Sequence, residues 1–135
     1  MIRYLAAGIA AAAAMVFLDM LWLGVIAKSI YQQGIGHLMA ARPDVAVAAL
    51  FYAVYAVGIV AFAVLPGSRT PGWGATLEKG ALLGLVAYAT YDLSNLATLE
   101  GWPAGLAVLD IAWGIAVSTV CAGCGKLVLD RFGPS

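Results

Sequence analysis

Charge is scarce in this sequence. Of its 135 residues, 10% are charged and 64% are hydrophobic. Soluble domains carry about a quarter charged residues, so a water-soluble fold of this composition would lack the polar side chains to cover its surface. The net charge of +0 leaves no basic face for nucleic acid. Composition therefore predicts an integral membrane protein that contacts membrane lipid and has no nucleic-acid partner.

Residues that bind metals or cofactors are also few. The single histidine, His37, lies outside the apolar stretches, which disfavours haem and zinc. No lysine lies within an apolar stretch, which disfavours retinal held as a Schiff base. Cys121 and Cys124 form one C-x-x-C without the strand-to-helix context of redox motifs. Small residues on a helix flank explain this pair better than redox chemistry does, so we expect no metal and no cofactor.

Four apolar stretches are long enough to span a membrane. They cover residues 4–27, 45–65, 80–99 and 103–124, and a helix of about 20 residues crosses a bilayer core. The first begins like a signal peptide but continues past Asp19, so we interpret it as a retained helix. Loops are expected at 31–44 and 66–76, with a short turn at 100–103. The sequence thus predicts one all-α domain, residues 1–135, folded as a transmembrane four-helix bundle.

The flanking charges predict the orientation, because Lys and Arg concentrate on the cytoplasmic side. One side of the predicted bundle carries Arg3, Arg69, Lys79, Lys126 and Arg131, and the other carries Lys28 and Arg42. Both termini should therefore be cytoplasmic. No run of Lys and Arg is long enough to indicate a patch for anionic lipid.

Two G-x-x-x-G motifs occur, at Gly80–Gly84 in the third stretch and at Gly101–Gly105 around the start of the fourth. Small residues at this spacing let helix backbones approach closely in lipid. The motifs are explained either by tight packing within the chain or by homodimerisation. Packing within the chain is the simpler interpretation.

Three acids, Asp19, Asp92 and Asp110, lie within the apolar stretches, and no basic residue lies there to pair with them. Ionisable residues in a membrane are expensive and indicate function by default. Each lies about 10–12 Å below the same predicted membrane boundary at 1.5 Å per residue. Three ionised carboxylates would repel one another. We therefore hypothesise that at least one is protonated or that a cation is bound.

Aromatic and amide side chains share the helix faces of these acids. The motif Asp-x-x-Trp occurs twice, at Asp19–Trp22 and Asp110–Trp113. The candidate ligand-binding residues are Asp19, Asp92, Asp110, Asn95, Tyr88, Tyr91, Tyr52, Tyr55, Trp22 and Trp113. Hydrogen bonding between helices is an equally good explanation for Asn95, Tyr52 and Ser94. Similarly, Trp22, Trp73 and Trp102 also fit the role of interfacial anchors.

Several of these motifs together resemble a known family. They are FYAVYAVG at 51–58, FAVLP at 62–66, GLVAYATYDLSNLAT at 84–98, WP at 102–103 and DIAWG at 110–114. The chain resembles, over nearly its whole length, the uncharacterised bacterial membrane family catalogued as domain of unknown function 2177. The resemblance implies a four-helix inner-membrane protein and supplies no activity.

Three functions remain open from sequence. The favoured one is binding or translocation of a proton, a cation or a small amphiphile, since acids among aromatic rings suit a cation. Translocation would require a dimer, because four helices leave little room for a pathway. An intramembrane enzyme that modifies a lipid with an Asp as general acid or base is the second. A structural or accessory subunit is the third.

Overall fold

Runs of Ala, Leu and Val without interior proline predict long helices, and these form. The computed structural model describes residues 1–133, which are helical apart from short connections and include no strand; helix makes up 84% of these residues. The helices are α1 (Ile2–Ile26), α2 (Lys28–Ile35), α3 (Val45–Gly67), α4 (Gly74–Thr98) and α5 (Ala104–Arg131). This architecture confirms the predicted all-α membrane bundle.

Three of the helices in the described residues, α1, α3 and α5, are long and apolar enough to cross a membrane. Helix α4 has 25 residues, and at 1.5 Å per residue this exceeds a ~30 Å bilayer core. Its polar segment around Asp92 makes it less apolar than the others. Because α4 makes its most extensive contacts along α5, it belongs to the same bundle.

Large apolar side chains cover the outside of the bundle. Phe17, Phe62, Leu82 and Val108 are each more than half exposed. A continuous apolar exterior of this kind contacts lipid in a membrane protein, whereas a soluble protein rarely exposes large apolar patches. The interior, in contrast, is built from small residues.

The core is formed where α1 and α5 cross. Ala7, Ala11 and Met15 of α1 are buried at i, i+4 and i+8 and belong to the same apolar cluster as Val117 and Cys121 of α5. Alanine at this spacing lets the two helices approach closely without side chains intervening. Dispersion contacts between closely packed atoms then hold the helices together.

Glycine forms the contact between α4 and α5. A Cβ atom added to Gly84 would lie 2.2 Å from the carbonyl oxygen of Gly114, and one added to Gly80 would lie 2.7 Å from the Ala122 Cβ. The first G-x-x-x-G motif therefore packs within the chain. Around Gly101 and Gly105, by contrast, no atom lies within 4 Å of such a Cβ, and Gly101 has a φ of +76° in the turn before α5.

The segment after α1 is helical, so the loop predicted to begin at residue 31 is wrong over residues 31–35. Ala27, Tyr31 and Ile35 recur at helical spacing and form one apolar face. A Cβ on Gly34 would lie 3.1 Å from the Leu106 Cδ2 atom and 3.3 Å from the Pro103 Cγ atom. Helix α2 therefore covers the start of α5, and this contact with α5 stabilises the helix.

We predict that Gly84→Leu will lower the stability of the bundle, because the new side chain would collide with the backbone of α5. Overpacking of this kind typically costs about 1–3 kcal/mol or more. Thermal unfolding in detergent measures the effect. Gly105→Leu is the matched control, since its side chain enters open space. Equal melting temperatures for the two variants would contradict the close α4–α5 contact.

Candidate functional site

The three acids of the apolar stretches, Asp19, Asp92 and Asp110, lie at one level of the bundle. Each is about six or seven residues from the α2 end of its helix, or about 10 Å along the axis. We call this end, formed by α2, the start of α3 and the α4–α5 turn, the α2 end. The other end carries the N-terminus and the α3–α4 loop, and we call it the opposite end.

All three acids line one cavity of ≈ 330 Å³ at the α2 end. Its walls also include rings from four helices and the α4–α5 turn. The lining residues are Asp19, Leu23, Tyr31, Ile35, Met39, Phe51, Tyr52, Tyr88, Tyr91, Asp92, Trp102, Leu106, Asp110 and Trp113. The arrangement places carboxyl groups among apolar and aromatic side chains, within the size range of small-molecule sites.

Asp19 is buried and fully engaged with its neighbours. Its Oδ2 atom accepts a hydrogen bond of 3.0 Å from the Tyr52 hydroxyl, and its Oδ1 atom accepts one of 3.0 Å from Trp113 Nε1. These two bonds join α1 to α3 and to α5. A buried carboxyl that is satisfied on both oxygens holds helices together.

A second chain of hydrogen bonds ends on Asp110. Trp22 Nε1 donates to the Tyr31 hydroxyl at 3.0 Å, and that hydroxyl donates to Asp110 Oδ1. The indole rings of Trp22 and Trp113 stack with centroids 4.5 Å apart and an interplanar angle of 1°. Burial, with the hydrogen bond to Asp110, raises the pKa of Tyr31, so its hydroxyl keeps its proton and remains a donor.

The two Asp-x-x-Trp motifs are therefore interlocked. Trp113, from the second motif, donates to Asp19 of the first. Trp22, from the first, reaches Asp110 of the second through Tyr31. The stacked indoles connect the two hydrogen-bonded groups.

Asp92 differs from the other two acids. Its side chain is 1% exposed, yet its Oδ2 atom has no hydrogen-bond partner in the described part of the chain. Its carboxyl lies within reach of that of Asp110. Trp102 Nε1, which lines the same cavity, is a second enclosed polar atom without a partner among the described residues. An unsatisfied buried polar atom in a native structure calls for an explanation.

Three candidate residues from the sequence do not line the cavity. Trp22 contributes through Tyr31, as described above. Tyr55 lies deeper, with its hydroxyl 2.8 Å from Ser118 Oγ and its ring edge-on to Tyr88. Asn95 is half-buried outside the lining. Ser94, the alternative helix-joining residue, bonds instead to the Tyr91 carbonyl of its own helix.

Two important residues escaped the sequence analysis. Tyr31 was expected in a loop, although its i, i+4 spacing from Ala27 and Ile35 could have indicated a buried helix face. Trp102 was interpreted as an interfacial anchor, but its indole nitrogen is enclosed beside the cavity. Trp73 is the more peripheral tryptophan, 44% exposed, with Lys126 Nζ 5.8 Å from its ring centroid.

The C-x-x-C pair lies outside this site. Cys121 is buried in the α1–α5 core and Cys124 is partly exposed, and neither forms a disulfide. Across residues 1–133, no three His, Cys, Asp or Glu side chains are grouped closely enough to hold a metal ion. The three cavity acids thus do not form such a group, although Asp92 and Asp110 neighbour each other.

Comparison with known protein families gives a match over most of the chain. A family model described as "Predicted membrane protein (DUF2177)" matches residues 4–127, which confirms the resemblance found in the motifs. No curated protein and no solved structure shows a significant match to the chain.

We predict that Tyr31→Phe will destabilise the bundle by about 1–3 kcal/mol, because Asp110 loses a donor and Trp22 loses an acceptor. Tyr91→Phe is the control, because the Tyr91 side chain is 53% exposed and water can replace its hydroxyl. Unfolding in detergent measures both variants. If both were as stable as the parent protein, the Trp22–Tyr31–Asp110 chain would have no structural importance.

Proposed function

The chain belongs to the DUF2177 family of predicted membrane proteins, and from the geometry of the ≈ 330 Å³ cavity at its α2 end we propose that it binds a small organic cation there. We place it in the bacterial inner membrane as a multi-pass protein. The observation that carries the proposal is an enclosed oxygen of Asp92 that has no hydrogen-bond partner in the described part of the chain, on a residue that lines this cavity. A bound cation would satisfy this oxygen.

The distribution of Lys and Arg between the two ends of the bundle suggests which side of the membrane the cavity faces. Lys and Arg predominate at the opposite end of the bundle, which by the positive-inside rule is the cytoplasmic end. The α2 end and its cavity then face the periplasm. A ligand would reach Asp92 from that side.

The chemistry of the walls favours an organic cation over a metal ion. Metal ions such as Ca²⁺ take several oxygen ligands around one point, and the described residues offer no such cluster. Tyr91 and Trp102, with ring centroids 5.9 Å apart and planes at 85°, line the cavity with Asp92. Aromatic faces attract organic cations, most strongly when water is excluded.

We assign different roles to the three acids. Asp19, bonded to Tyr52 and Trp113, holds helices together, and this supports the structural interpretation for that residue. Asp110 is held by Tyr31 on one oxygen and neighbours Asp92. Asp92 is therefore the principal binding group, with Asp110 beside it.

Binding is better supported than translocation. Toward the opposite end the bundle is filled by the Tyr55–Ser118 pair and by the buried Met15 and Val117. A path through one copy of the chain would need these residues to separate. We therefore propose a binding site and not a translocation path.

We predict that tetramethylammonium will raise the melting temperature of the purified protein and that Asp92→Asn will abolish this effect. A ligand at a hundredfold its Kd adds about 2.7 kcal/mol of stability. The cation-free variant should melt at or above the parent temperature, since an amide carries no charge to neutralise. Glu100→Gln, which removes an exposed acid in the α4–α5 turn, should keep the full response. Unchanged stabilisation of the Asp92→Asn protein would refute the site.

We also predict that the three cavity acids share at least one proton when no cation is bound, because carboxylates gathered in one cavity repel one another. Infrared spectra should show a protonated-carboxyl band that tetramethylammonium diminishes and that Asp92→Asn alters. Glu100→Gln should leave the band unchanged. Spectra that show only ionised carboxylates in cation-free protein would disprove the shared proton.

A further inference from the structure

A second site lies at the opposite end of the bundle. A pocket of ≈ 490 Å³ forms there where the start of α1, the end of α3 and the end of α5 meet. Its polar lining consists of Arg3, Tyr4, Ser68, Arg69 and Asp130. Arg3 and Arg69 are distant in sequence, and the fold brings them to one pocket.

Among the described residues that line this pocket, two are basic, Arg3 and Arg69, and one is acidic. Its one described acid, Asp130, is already paired, with Oδ2 3.0 Å from Lys126 Nζ. Ser68 Oγ is enclosed and has no hydrogen-bond partner in the described range. Two guanidinium groups and a free hydroxyl donor match a phosphate group, which Arg binds through paired N–H bonds.

An apolar groove continues from this pocket. It has a volume of ≈ 430 Å³ and runs between α1 and α3, and it shares Tyr4 and Leu65 with the polar pocket. Small residues open it, among them Gly8 and Ala12 of α1 and Ala53 of α3. From Tyr4 to Ala12 the groove covers about 12 Å of helix, so it extends into the apolar depth of the membrane.

We propose that the pocket and the groove together bind one anionic phospholipid. The phosphate lies between Arg3 and Arg69, and an acyl chain lies in the groove. A second copy of the chain would cover the groove but would leave the two arginines unneutralised, whereas a phospholipid satisfies both parts. This site shares no residue with the cavity at the α2 end, so each site can fail independently.

The experiment measures lipid retention by native mass spectrometry of protein released from detergent micelles. Three probes are added at equal concentration: dioleoylphosphatidylglycerol, dioleoylphosphatidylcholine and inorganic phosphate. We expect one phosphatidylglycerol per chain to be retained, with phosphatidylcholine retained about tenfold less, because each arginine near an anionic headgroup strengthens binding. Inorganic phosphate should not be retained, since it lacks the acyl chain.

Two pairs of variants test the two parts separately. The double variant Arg3→Gln with Arg69→Gln should reduce retention of phosphatidylglycerol about tenfold or more, whereas Arg42→Gln, an exposed residue at the α2 end, should not. Gly8→Leu should fill the groove and reduce retention, whereas Ala13→Leu, exposed on the same helix outside the groove, should not. Melting temperatures without lipid show whether each variant is folded.

Each possible result either supports or overturns the proposed lipid site. Selective retention that is lost with both the arginine and the Gly8 variants supports the proposal. Equal retention of the two lipids, or equal effects of the control variants, overturns it. Retention of phosphate alone would make the pocket a site for a free anion, and a dimer without lipid would make the groove a protein interface; either result overturns the lipid site.

Discussion

The structure depends on hydrogen bonds that satisfy carboxyl groups surrounded by lipid-facing helices. Water is absent from a bilayer core, so each polar group there needs a partner from the protein. Asp19 obtains its partners from α3 and α5 through Tyr52 and Trp113. These bonds join three helices at one depth, and the residues that form them line the same cavity as Asp92. Packing of small residues brings the helices close enough for the bonds to form.

Glycine in α5 makes room for the aromatic wall of the site. A Cβ on Gly114 would lie 2.1 Å from the Cγ atom of Tyr88, so the tyrosine ring lies directly against the α5 backbone. Gly84, one turn earlier on α4, meets the carbonyl of the same Gly114. The close α4–α5 contact and the position of the Tyr88 ring are therefore consequences of one small residue. The site is built on the packing of the fold and is not an addition to it.

Much of this could be predicted from the sequence, because membrane helices follow from local composition. Four apolar stretches predicted the bundle, and helical spacing predicted that Asp19, Asp92 and Asp110 lie at one level. The local sequence pattern could not show which side chains form hydrogen bonds with these acids, because these partners lie on other helices and depend on how the helices cross. Tyr31 was missed because its helix contains polar residues and so resembles a loop in sequence. The pocket with Arg3 and Arg69 was missed because these two residues are far apart in the chain.

The interlocked Asp-x-x-Trp motifs make the effects of substitutions on α1 and on α5 depend on one another. Each tryptophan serves the carboxyl group of the other motif, directly for Trp113 and through Tyr31 for Trp22. Substitutions within such a network are not additive. The effect of a change on α1 thus depends on which side chains α5 carries, because the two helices share one network.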